Sequence, residues 1–150
     1  MSYEPHDARA FARLIADAQR AFATAERDAL EPFGITPPVF GLLDVIARHP
    51  GISPAAAAEE LGVTRPTVTG WLNGLRELGL VARGESARDG RKASLTLTED
   101  GGTVYRAAVD VIRRRHTRLL ASAIDPTQQA DLMDALYRVS QAGRSARPGS

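Results

Sequence analysis

Arg65, Thr67, Thr69, Gly70, Asn73 and Arg76 fall on one side of a predicted helix and supply two cations, small or hydrogen-bonding side chains and no carboxylate. Such a face can donate to phosphate oxygens and to base edges, and Gly70 allows a close backbone approach. A second cluster follows in a turn-forming stretch: Arg88, Asp89, Arg91 and Lys92. Asp89 can hold the Arg91 guanidinium in a bidentate pair and aim it at a minor groove or a phosphate. Arg88 and Lys92 suit phosphate contacts. The chemistry common to both clusters is recognition of double-stranded DNA, read at base edges by the first and anchored by the second.

Positioning these groups takes a helix–turn–helix followed by two strands. Ser53 can cap a first helix that has Pro54 at its first position, and Leu61-Gly62 can end it. Thr64 can cap the second helix, with Pro66 just inside it, so Ser53, Thr64 and Pro66 join the candidate DNA-binding set. Val68, Leu72, Leu75 and Leu78 recur at three- and four-residue spacing and predict the buried stripe. Gly79 stops this helix. Leu80-Val81-Ala82-Arg83 and the run from Lys92 to Leu97 then read as two strands with a basic tip between them, a wing.

Length and charge agree with this organisation. The 150 residues carry a formal charge of +1, with 43% hydrophobic and 25% charged residues, ordinary for one globular domain. Between Arg65 and Lys92 the charge is +3, which leaves −2 for the remainder and places the positive potential on the candidate interface. There is no cysteine, so thiol redox chemistry and disulfides are excluded. No apolar run reaches the ~18 residues of a membrane span, and a cytoplasmic protein is expected. His6, His49 and His116 are scattered without ligand spacing, so no metal or other cofactor is expected. The chain shows no nucleophile–base pair and no phosphate loop, and enzymatic activity is not expected.

The ordered set of motifs resembles the MarR family of bacterial transcription regulators. The resemblance is carried by the recognition run Thr64 to Leu72, the join Leu75 to Val81, the wing Arg88-Asp89-Gly90-Arg91 and the sequence Leu95 to Gly101 after it. It implies a fold that is mainly α with a small β-wing: a winged helix–turn–helix with N- and C-terminal dimerisation helices. It also implies a sequence-specific regulator, a repressor released from a palindromic operator by a small molecule, often an aromatic acid or phenol. That effector would bind between the dimerisation helices and the winged domain, with Phe11, Phe22, Phe40, Trp71 and His116 as candidate walls. A winged helix serving as a protein-interaction module is the alternative, and it predicts little salt-dependent DNA binding.

The flanking segments supply the remaining elements. Residues 1–6 read as a loose leader, and Asp7 can cap a helix to about residue 30. Thr36 can cap an apolar helix over residues 37 to about 48. Thr98 can cap a long helix to about residue 123, with Gly101 and Gly102 weakening its first turn. Asp125-Pro126 starts a last helix to about residue 142. The expected organisation is an N-terminal dimerisation helix at 1–35, a DNA-binding domain at 36–97, dimerisation helices at 98–143 and a disordered tail at 144–150. A winged helix needs only ~60–80 residues, so the terminal helices are surplus to it. Covering their apolar stripes with a second copy of the chain predicts a homodimer.

Overall fold

The computed structural model describes residues 7–85 and 93–145. Six helices and two strands follow in order: α1 (Ala8–Leu30), α2 (Pro37–Arg48), α3 (Pro54–Leu61), α4 (Arg65–Glu77), β1 (Val81–Glu85), β2 (Ala93–Leu97), α5 (Glu99–Ala123) and α6 (Pro126–Ser145). A 3₁₀ turn, Glu31–Phe33, joins α1 to α2. This is the expected architecture, mainly α with a small antiparallel sheet.

Local chemistry sets most helix starts. Asp7 Oδ1 accepts from the Ala10 N–H at 2.8 Å, Ser53 Oγ from Ala56 at 3.1 Å and Thr98 Oγ1 from Gly101 at 2.9 Å. Thr36 departs from expectation and makes no side-chain cap bond. Pro37 and Pro38 remove the N–H donors of the first two positions of α2, and the Val39 N–H, three residues on as in the other caps, makes no bond to the Thr36 side chain. The α3 helix ends at Gly62, whose φ of 65° needs a residue without Cβ. At the other end of the chain, α6 runs on past residue 142 to Ser145.

The core is centred on α2, whose Leu42, Leu43, Val45 and Ile46 are fully enclosed with Leu30, Val68, Leu75 and Leu95. The stripe of α4 holds for Val68, Leu72 and Leu75 but fails at Leu78, which is 52% exposed. The helix closes before that turn completes. The Gly79 N–H donates to Arg76 O and the Leu80 N–H to Leu75 O, a left-handed turn at Gly79 (φ 71°) that swings Leu80 inward instead.

The strands pair with Val81 opposite Leu97 and Arg83 opposite Leu95. Ile52 bridges to Leu95 as a short third partner, through the Gly51 N–H to Leu95 O at 2.8 Å and the Leu95 N–H to Ile52 O at 2.9 Å. The wing stem is thereby tied to the loop that enters the helix–turn–helix. The long α5 lies along α1. The apolar Phe11, Leu14 and Ile15 of α1, Val109 of α5 and Leu132, Met133, Tyr137 and Val139 of α6 remain exposed.

Candidate nucleic-acid interface

The outer face of α4 is open: Arg65, Pro66, Thr69, Gly70, Asn73 and Arg76 are exposed, and Thr67 is half-buried. Arg65, Thr69, Asn73 and Arg76 come together with Pro54, Leu72, Arg83 and Leu95 around a cleft of about 210 Å³. Three guanidinium groups converge there, and no carboxylate is among the described residues of the lining. Among the described residues, no ion pair engages Arg65, Arg76 or Arg83. Such a cleft is electrostatically unsatisfied and suited to an anion.

The threonines differ from one another. Thr67 Oγ1 lies 2.8 Å from Thr64 Oγ1, within the cap of α4. Thr69 Oγ1 donates to the Arg65 carbonyl at 3.0 Å, which leaves its methyl for an external partner such as thymine. Ser53 is half-buried and occupied as the cap of α3. A Cβ at Gly70 would meet nothing within 4 Å among the described residues, none of which requires glycine there. Gly70→Ala is therefore expected to raise stability by about 0.5–1 kcal/mol through helix propensity while weakening DNA binding. Unfolding and binding titrations on the same preparation would separate these opposite signs. A variant that binds as well as the parent would remove the close-approach role.

Arg83 adds to the positive charge of residues 65–92 but is not among the candidate DNA-binding residues of the sequence, and neither is Pro54, although both line this cleft. The signal for Arg83 was its two-residue spacing from the buried Val81, which puts both on one face of β1. Arg88, Asp89, Arg91 and Lys92 lie outside the described residues.

Of the five candidate effector-contacting residues, the structure pairs two. Phe22 and His116 meet edge to face, with centroids 5.0 Å apart. The His116 Nε2 is shielded and has no hydrogen-bond partner among the described residues. Phe40 instead stacks on Tyr105 at 5.9 Å, Trp71 is half-buried against the core, and Phe11 is exposed. Tyr105, beside Val104 on the same helix, is not among the five candidates of the sequence. A cleft of about 340 Å³ between α2, β2 and α5 is lined by Ile46, Leu97, Tyr105 and Arg106 among others, and by none of the five. Among the described residues no His, Asp or Glu cluster could hold a metal, and no single helix is long and apolar enough to cross a membrane.

Two helices joined by a turn, a cationic outer face on the second and a two-stranded stem beside it define a winged helix–turn–helix DNA-binding protein. Residues 33–92 match the sequence profile of the MarR family. The HTH-type transcriptional repressor Rv2887 of Mycobacterium tuberculosis is 36% identical over 101 residues, covering 67% of this chain and 73% of that protein. Its structure with salicylic acid superposes with a TM-score of 0.68 at 30% identity, over 84% of this chain and 93% of that one. The transcriptional repressor CouR, solved on a 23-mer DNA duplex, gives 0.75 at 26% identity over 98% and 100%. The chain belongs to the MarR family and is a DNA-binding transcription regulator.

Proposed function

We propose that the chain works as a cytoplasmic homodimer that represses transcription from a palindromic operator and leaves it when a small amphipathic molecule binds. The observation that carries this reading is the cleft beside the open face of α4 where Arg65, Arg76 and Arg83 come together. The role is binding rather than catalysis. In this reading residues 36–97 meet DNA, and residues 1–35 and 98–143 join the protomers through the exposed apolar residues of α1, α5 and α6. A two-fold dimer presents two recognition helices, so half-site centres about 34–36 Å apart are expected. Relatives support effector control, since Rv2887 has been solved with salicylic acid. Phe22 with the shielded His116 Nε2 is the best-formed part of the candidate effector wall.

Within the interface, the wing arginine anchors and the α4 face reads. Arg91→Ala is expected to weaken binding to operator and random DNA alike, and to lower the salt slope by about one per lost contact, or about two per dimer. Asn73→Ala is expected to cost about 1–3 kcal/mol per half-site on the operator, with the salt slope nearly unchanged. Fluorescence anisotropy at several salt concentrations, on a duplex selected from random sequence and on its scrambled version, distinguishes the two. Equal losses on both duplexes for Asn73→Ala would reverse the assignment. Failure to select any duplex would favour the protein-interaction module.

A further inference from the structure

The long helix α5 grips the helix–turn–helix at two places. At its start, Thr98 Oγ1 donates to the Gly79 carbonyl at 2.7 Å and the Thr98 N–H to Leu80 O at 3.1 Å, which ties α5 to the end of α4. The second grip is a run of side chains. The Tyr105 hydroxyl donates to Asp44 Oδ1 of α2 at 2.8 Å. Asp44 Oδ2 accepts from Arg48 Nε at 2.9 Å, and Arg48 Nη1 donates to Glu60 Oε1 of α3 at 2.9 Å. The other oxygen of Glu60 faces His49 Nε2 at 3.5 Å. The Tyr105 ring, stacked on Phe40, fixes where the hydroxyl points.

The geometry points to Tyr105 as a positioning residue, which sets the helix–turn–helix on α5 through the relay Asp44, Arg48 and Glu60 without touching DNA. No member of this relay lies on the outer face of α4. Its links are half-open to solvent, with Asp44, Arg48 and Glu60 side chains 36%, 50% and 34% exposed, so each adds little stability alone. Joined end to end between three helices, they constrain orientation instead. The relay needs arginine in the middle, because its planar fork serves one carboxylate from Nε and another from Nη1, whereas a lysine ammonium has no such fork. Burial and the bond to Asp44 both push the Tyr105 phenol above its ordinary 10.0, so it remains a donor at neutral pH.

The functional consequence rests on the DNA-binding reading, and the test therefore has one arm that needs no DNA. Tyr105→Phe keeps the stacked ring and removes only the hydroxyl. It is expected to speed amide hydrogen exchange across α3 about threefold, with the melting temperature close to that of the parent. Arg48→Lys keeps the charge and is expected to do the same, an outcome that a merely structural surface ion pair would not give. Unchanged exchange in α3 for Tyr105→Phe would overturn the proposal. In the second arm, Tyr105→Phe and Glu60→Gln are each expected to weaken binding to a duplex selected from random sequence about threefold, and the double variant no more than either. Losses that multiply would show independent sites and also overturn it. If the parent selects no duplex, the DNA-binding reading falls while exchange in α3 still decides the relay.

Discussion

Gly101→Ala is expected to lower stability by about 3–5 kcal/mol and the melting temperature by about 10–20 °C, against the sign that helix propensity alone predicts. Gly101 lies in the first turn of α5, where alanine would ordinarily gain about 1 kcal/mol. A Cβ at this position would sit 1.9 Å from the Leu80 carbonyl oxygen and 2.8 Å from its carbon. That carbonyl cannot yield as a side chain could. It is backbone, it accepts from the Thr98 N–H, and it closes the junction between α4 and α5. Gly102→Ala is the control one residue on, because its Cβ would meet only the end of the flexible Arg106 side chain, at 3.3 Å. Thermal and denaturant unfolding at one protein concentration should separate the pair. Similar midpoints for the two variants would mean that the α4–α5 junction is looser than its geometry.

The second large effect concerns assembly. Met133 and Tyr137 are 65% and 61% exposed and lie four residues apart on one face of α6, apolar area that a single chain leaves in water. Met133→Glu together with Tyr137→Glu is expected to convert the proposed dimer to monomer while the helical spectrum persists. In an isologous interface each substitution occurs twice, so four carboxylates would be desolvated together without partners, at several kcal/mol. Loss of the second recognition helix from the same particle removes the gain from bivalency, about 10²–10⁴ in operator affinity. Sedimentation in dilute micromolar solution, paired with binding titrations, checks both halves. A variant that still sediments at twice the chain mass would move the interface off this face of α6.

What the sequence by itself determined were the features that depend on neighbours within a few residues. Asp7, Ser53 and Thr98 cap helices because a side-chain oxygen reaches an N–H three residues on. Gly62 and Gly79 end them because they alone take a left-handed φ cheaply. The cationic face of α4 and the apolar stripe through Leu75 follow from helical period alone. Tertiary structure decided the rest, wherever the outcome depended on a partner distant in the chain. Leu80 rather than Leu78 is enclosed, where the Thr98 N–H of the α4–α5 junction meets the Leu80 carbonyl. Arg83 joins Arg65 and Arg76 only once the sheet lies beside α4. Gly101, read locally as a weak helical turn, is instead a contact with a backbone carbonyl 21 residues earlier. Phe40 pairs with Tyr105, and Asp44 reaches Glu60 through Arg48, because α2 is wedged between α5 and α3. Helical periodicity specifies which face of a helix is apolar. It does not specify which other helix meets that face, because that is set by packing the whole chain at once.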